Sequence, residues 1–328
     1  MKLLVDFFRL VRFPNLVVIA LTQYAIRFGI IYPFLQQAEL DLYLSEKTFG
    51  ALVLATVLIA AAGYIINDYF DIKLDYLNKP KQMIVGKRIK RRWAMVLHIL
   101  FNAIGLLLAT YVALSIEHPW LILFQLISAA LLWFYSVNFK KQVFIGNLII
   151  AALTALVPFT AGYYEVAVMF DHLPELTGFP EDDQIIKNLG SLLFSIKYLL
   201  YWVIGYSAFA FLLTIIREII KDIEDIEGDE AFNCKTLPIV FGIPLAKKVA
   251  IGVAAFTLLC LAFLEYIQIL GSDWVSFAYF LLLLSLPLVW IILKIWKAEK
   301  KKHYFIISQA IKILMLLGVL YTSLIYLY

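Results

Sequence analysis

Nine apolar stretches, each long enough to cross a bilayer, constrain this chain more than any other feature. A helix needs about 20 consecutive apolar residues to traverse the hydrocarbon core. Such runs lie at about 13–34, 48–69, 92–114, 119–137, 144–166, 196–219, 247–269, 273–297 and 303–327. Soluble chains are about 45–50% apolar, whereas 63% of these 328 residues are hydrophobic. That excess has to be solvated by lipid. The expected fold is therefore all-α: a polytopic membrane protein with nine transmembrane helices. Pro14 suits the first turn of the first span, where its missing N–H costs nothing. The basic N-terminus precedes a run too long for a signal-peptide core, so the first span is read as uncleaved.

Charge supports this count. With the N-terminus inside, the inner segments hold 23 of the 28 Lys and Arg residues. The opposite segments carry Glu39, Asp41 and Glu46, then Asp171, Glu175, Glu181, Asp182 and Asp183. The positive-inside rule then predicts a cytoplasmic N-terminus and an external C-terminus, and the expected location is the cell's inner membrane. Segment 171–195, with Pro174, Gly178 and Pro180, reads as a long outer loop. Arg27, near the outer end of the first span, is expected to snorkel. The net charge of +4 belongs to the loops, which argues against a nucleic-acid partner. Cys234 and Cys260 form no disulfide framework, and His98, His118, His172 and His303 have no metal-ligand spacing.

Two acidic segments interrupt this pattern. In Ala62–Pro80 (AGYIINDYFDIKLDYLNKP), Asn67, Asp71 and Asp75 recur every fourth residue, a drift of only about 40° per step around a helix. Asp68 lies at the edge of that face. In Arg217–Asp229 (REIIKDIEDIEGD), Glu218, Asp222, Asp225 and Asp229 again share one face, while Glu224 and Glu227 point elsewhere. Gly228 is expected to begin to break that helix. Each segment ends a span on the same side, and the two lie about 150 residues and four spans apart. This predicts one domain, 1–328, built as two four-helix halves (1–143 and 144–297) plus a ninth helix (303–327) around a central cavity. Carboxylates converging there would repel one another unless a cation neutralised them, and an all-oxygen set suits Mg²⁺. Lys79, Lys81, Lys87, Lys140, Lys141 and Lys235 follow the acidic segments or end nearby spans. Acidic residues, lysines and Mg²⁺ together make up a site for a diphosphate.

The first segment, Asn67-Asp68-x-x-Asp71-x-x-x-Asp75, resembles the NDxxDxxxD signature of the UbiA superfamily of intramembrane prenyltransferases. Asn78-Lys79-Pro80 and Gly86-Lys87-Arg88-Ile89 resemble its basic continuation. Asp225-x-x-x-Asp229, followed by Lys235-Thr236-Leu237-Pro238 and Phe241-Gly242, resembles its second aspartate motif. Tyr135-Ser136 through Lys140, then Gly146-Asn147, resemble its fourth-to-fifth span junction, and Arg12 and Asn15 the entry of its first helix. Within the superfamily, Arg217–Asp229 is most similar to the digeranylgeranylglyceryl phosphate synthase branch. Lys79 stands where Arg is frequent, and Lys81-Gln82-Met83 replaces the usual Arg-Pro run.

The two stripes and this resemblance together imply a Mg²⁺-dependent transfer of a polyprenyl group, geranylgeranyl for this branch, from its diphosphate to a lipophilic acceptor within the bilayer. Asn67, Asp71 and Asp75, with Asp68 nearby, would ligate metal on one side, and Asp222, Asp225 and Asp229 on the other. Lys140 and Lys235 would join Asp71 and Asp225 in catalysis by contacting phosphate oxygens. Substrate would also meet Arg12, Asn15, Asn67, Lys79, Lys81, Tyr135 and Lys141. Tyr64, Tyr135, Phe139 and Tyr206 are candidates to face an allylic cation. Lys312 and Gln309 in the last span are candidate cavity-lining residues. For the resembled branch the acceptor is a prenylglyceryl phosphate. The competing readings are an aromatic acceptor of quinone biosynthesis, a terpene cyclase of the same superfamily, and a secondary transporter. Nothing in the sequence sets an oligomeric state.

Overall fold

The computed structural model describes residues 2–37, 40–72, 76, 83–171 and 183–327. Asp75, Lys79 and Lys81, named above, lie outside the described residues. A short helix, α1 (Lys2–Leu10), precedes the first long one. Among the described residues nine helices are long and apolar enough to cross a membrane, as the apolar runs predict. They are α2 (Phe13–Gln37), α3 (Glu46–Phe70), α4 (Arg91–Ser115), α5 (Pro119–Val137), α6 (Ile145–Asp171), α7 (Asp183–Glu224), α10 (Ile243–Leu270), α11 (Trp274–Lys297) and α12 (Lys301–Leu327). Two short helices, α8 (Ile226–Ala231) and α9 (Leu237–Phe241), lie between α7 and α10.

Local chemistry accounts for several boundaries. Pro14 sits in the first turn of α2. Ser45 caps α3 by accepting from the Thr48 N–H, which satisfies one of the orphan donors of a helix start. The predicted outer loop is shorter than expected. Residues 183–195 are already helical, and α7 runs for 42 residues. The acidic and proline-bearing composition of 171–183 hides this start.

Exposed and buried faces separate as a bilayer requires. Leu107 and Leu259 are 70% and 69% exposed on the outside of the bundle, where only lipid can solvate them. Inside, one apolar core joins α7, α10, α11 and α12. A second joins α2, α3 and α6 to the first half of α7. A third seats α1 and the 84–89 turn against α2, α3 and α4. Gly86 takes φ +86° in that turn, a backbone region open to glycine at no steric cost, and Arg88 then pairs with Asp6 of α1. Gly29 permits another close approach. A Cβ there would lie 2.5 Å from Thr322 Cβ and 2.7 Å from the Thr322 carbonyl oxygen, so α2 and α12 meet nearly backbone to backbone.

Arg27 does not snorkel. It is fully buried where α2 widens by an extra backbone residue over Arg27–Ile31. Its guanidinium pairs with Glu165 of α6 at 3.0 Å and Glu46 of α3 at 3.1 Å, and donates to the Leu44 carbonyl. Glu165, also fully buried, accepts from the Tyr43 and Leu44 N–H groups. The Phe49 ring lies 4.4 Å from the guanidinium carbon. Glu165, the Leu44 carbonyl and the Phe49 ring inside the protein, with the exposed Glu46 beside them, outweigh a reach to the interface, because they replace the charge's lost hydration.

Candidate functional site

Both acidic segments break where they meet the cavity. α3 ends at Phe70, and Asp71 is its C-cap at φ −87°, ψ 4°. α7 ends at Glu224, and Asp225 caps the start of α8 at φ −98°, ψ 9°. Neither stripe is therefore one continuous helical face. The second break comes at Asp225 and not at Gly228, which is buried within α8. The turns nevertheless keep the carboxylates together. Asn67 and Asp71 line a cavity of about 630 Å³ with Glu218, Asp222, Asp225 and Asp229.

Cations interleave with them. Lys140 sits in a tight turn, Phe139–Lys141, between α5 and α6. Its ammonium pairs with Asp71, and both side chains are nearly buried. Gly146 makes this placement possible. A Cβ there would lie 3.0 Å from Lys140 Cα and 3.2 Å from the Phe139 carbonyl oxygen, so a larger residue pushes the lysine turn away. Asn147, the next residue, donates to Asp222 at 2.9 Å. Lys141 also lines the cavity.

Lys235 is arranged differently. It is exposed and its side chain is not among the cavity-lining groups. Its N–H donates instead to the Lys141 carbonyl at 2.8 Å, which ties the 229–236 segment to the Lys140 turn. The backbone of Lys235, rather than its charge, reaches the site.

Asp68 also departs from expectation. Its carboxylate accepts from Arg12 at 3.0 Å and does not line the cavity. Arg12 caps α2 in the left-handed region, φ 51° and ψ 52°, a strained conformation for a side chain of this size. It lies 4.8 Å from the centre of the Tyr64 ring, and Asn15 donates to the Tyr64 hydroxyl at 3.4 Å. Arg12, Asn15, Tyr64, Tyr135 and Tyr206 all line the cavity. Phe139 does not; its ring packs on Phe134. Lys312 lines the cavity and Gln309 does not.

Several groups here escaped the sequence reading. Arg217 and Lys221 line the cavity and flank Glu218. Asn147 has its partner in Asp222. The signal for all three was present, since a polar side chain in an apolar span must find a partner or a cavity.

The carboxylates here repel one another. Burial, with repulsion from Asp225 and then Asp71, pushes the Asp229 carboxyl up to about 6. Among the described residues, no three His, Cys, Asp or Glu side chains converge closely enough to hold an ion alone. The oxygen donors fit a hard divalent cation only if phosphate oxygens and water complete its shell, the ordinary habit of Mg²⁺.

Known proteins resemble this chain in sequence and in fold. The chain is 32% identical over 214 residues to a digeranylgeranylglyceryl phosphate synthase of Thermococcus sibiricus, covering 65% of this chain and 63% of that one. It is 32% identical over 245 residues to the synthase of the same name from Saccharolobus solfataricus, covering 75% and 72%. The chain thus spans a little under two thirds of the first relative's length. A UbiA homologue from Archaeoglobus fulgidus, solved bound to GPP and Mg²⁺, superposes with a TM-score of 0.60 at 20% identity, covering 98% of this chain and 100% of that one, a likeness of fold. The family model described as "UbiA prenyltransferase family" matches residues 34–316. This nine-helix membrane chain, with its two acidic segments turned into one cavity, belongs to the UbiA prenyltransferase family.

Proposed function

We propose that this protein is a Mg²⁺-dependent intramembrane prenyltransferase that moves a geranylgeranyl group from its diphosphate onto a prenylglyceryl phosphate, forming an ether lipid. One observation carries the reading: acidic segments about 150 residues apart share one cavity with a lysine turn between them. The two similar synthases support the choice of acceptor. The homologue solved with GPP and Mg²⁺ supports the choice of donor and metal.

Asn67 and Asp71 would hold Mg²⁺ from one side, and Asp222, Asp225 and Asp229 from the other. When bound, the metal supplies charge stabilisation for the departing diphosphate. Lys140 rests on Asp71 and is placed to exchange that carboxylate for a phosphate oxygen, with Lys141 beside it. Asn147 orients Asp222. The C1–O bond of the donor breaks and diphosphate leaves with the bonding electrons, the acceptor's hydroxyl oxygen bonds to C1, and the hydroxyl proton passes to water. Tyr64, Tyr135 and Tyr206 border the path of the prenyl chain, where aromatic faces favour a developing cation.

In this proposal the site opens to the cytoplasm, with the N-terminus inside and the C-terminus outside, on the strength of the inner-side lysines and arginines. The halves 1–143 and 144–297, with a ninth helix, are read as a parallel repeat. In support, α3 and α7 each carry an acidic segment at the same end.

The test is Mg²⁺-dependent release of diphosphate from labelled geranylgeranyl diphosphate in membranes, with a panel of acceptors and mass analysis of the product. Asp71→Ala and Asp225→Ala should each abolish release. Release that persists in both variants overturns the reading, and a cyclised product formed without acceptor replaces transfer with cyclisation.

A further inference from the structure

Lys312 is an ammonium group deep inside a membrane span. It lies eleven residues beyond the start of α12, about 16 Å along the helix axis, close to the middle of a bilayer core of about 30 Å. A charge at that depth is costly and marks a function by default. Among the described residues Lys312 has neither a salt bridge nor a side-chain hydrogen bond. Its charged neighbours are Arg217, Lys221 and Arg12, which repel it, and Glu218, which attracts it. Glu218 is already committed, paired with Arg217 and 3.7 Å from Lys221. Arg12 is committed to Asp68.

The facing wall is equally unsatisfied. On α7, Tyr206, Thr214 and Arg217 share one helical face, at steps of eight and three, and all line the cavity. The Tyr206 hydroxyl, the Thr214 hydroxyl and the Arg217 Nε are each buried with no hydrogen-bond partner. Buried polar atoms are nearly always paired, so three orphans on one face, opposite an unpaired lysine, mark a place for a ligand rich in acceptors. Beyond the Nη1 that pairs with Glu218, Arg217 offers an unpartnered Nε, Lys312 a point charge and Thr214 a hydroxyl. That set suits the several oxygens of a phosphate monoester better than the two of a carboxylate.

We infer that Lys312, Arg217 and Thr214 form a second anion subsite that takes the phosphate of the acceptor, separate from the diphosphate subsite at Asp71, Lys140, Asp222, Asp225 and Asp229. This rests on the prenyltransferase reading and adds the means by which the acceptor is chosen. Thr214 and Arg217 lie further from the C-terminal end of α7 than Asp222, with Glu218 at the border of the two subsites. A lipid phosphate held there has its glycerol hydroxyl directed toward the diphosphate end of the cavity.

The experiment compares the full-length wild type, Lys312→Gln and Lys312→Arg in nanodiscs. Each is assayed with geranylgeranyl diphosphate and three acceptors: geranylgeranylglyceryl phosphate, its dephosphorylated alcohol, and an aromatic carboxylic acid. Expected for Lys312→Gln is a rise of about 10- to 100-fold in KM for the phosphate acceptor. The KM for the donor should move less than about threefold, the preference for phosphate over alcohol should collapse, and Lys312→Arg should largely restore both. An unchanged phosphate-acceptor KM in Lys312→Gln, with donor kinetics intact, overturns the subsite and leaves the prenyltransferase reading standing. A larger effect on the carboxylic acid than on the phosphate also overturns it. Absence of Mg²⁺-dependent diphosphate release in the wild type removes the prenyltransferase reading, and the subsite with it.

Discussion

The Lys140 ammonium pairs with the Asp71 carboxylate across 69 residues of sequence, joining the turn after α5 to the end of α3. Both residues line the cavity. It also leaves Lys140 with a partner that a phosphate oxygen can replace. Removing the lysine should therefore harm the site twice, by losing a phosphate contact and by leaving Asp71 uncompensated. Lys140→Ala is expected to lower kcat/KM for the diphosphate by about 10²–10³-fold. Asp71→Ala alone should be at least as severe, and the double variant far less than the product of the two. A double-mutant cycle on diphosphate release measures this, and strict additivity would show that the two residues act independently.

Lys235 makes a sharper case, because its side chain and its backbone predict different results. The side chain is exposed and away from the cavity, while the N–H holds the Lys141 carbonyl. Lys235→Ala should change kcat/KM by less than about threefold. Lys235→Pro removes the N–H and should cost at least about tenfold by loosening the Lys140 turn. Equal losses in the two variants would return the role to the ammonium group.

Asp229 contributes to the pH dependence. Its carboxyl sits at about 6, raised by burial and by Asp225 and Asp71. Below that pH it holds a proton, which competes with a metal ion for the same oxygens. The Mg²⁺ concentration for half-maximal activity should rise several-fold between pH 7.5 and pH 5.5, and excess Mg²⁺ should recover the rate. The metal-free protein has the opposite sign. A carboxyl raised above its unfolded value favours the fold when protonated, a contribution present at low pH and lost as pH rises through about 6. Thermal melts in chelator should therefore show a higher Tm at pH 5.5 than at pH 7.5, with the order narrowing or reversing on adding Mg²⁺. A melt insensitive to both pH and Mg²⁺ would remove Asp229 from the metal set.

The Arg27–Glu165 pair is fully buried and far in sequence from both acidic segments. Breaking it strands a charge inside the bundle. Arg27→Met should destabilise by about 3–5 kcal/mol, read as a fall in Tm in detergent, with little change in KM for the protein that remains folded. Arg27→Met combined with Glu165→Gln should recover part of the loss, because no lone buried charge is left and Glu46 is exposed to solvation. A double variant no better than the single one would mean that the guanidinium matters for its contacts with Leu44 and Phe49.

The sequence by itself determined the nine spans, the family and the two acidic segments. Apolar length, charge alternation and fourfold spacing are local properties, and each has a single physical outcome in a bilayer. Asn67, Asp71, Asp222, Asp225 and Asp229 were legible because they recur every three or four residues, although both helices break there and turns bring the carboxylates together. Only the tertiary structure decided who partners whom. Arg27 turned inward because Glu46 and Glu165, from two other helices, arrive beside it. Asp68 went to Arg12, and Lys235 contributed its backbone rather than its charge. α7 began some dozen residues before its apolar run, since helix formation there does not require apolar residues. Lys312 and the unpaired face of α7 looked like isolated polar residues until packing set them across one cavity. A charge's cost and use depend on what lies within a few ångströms of it, and for residues 95 positions apart, such as Arg217 and Lys312, only the fold brings that about.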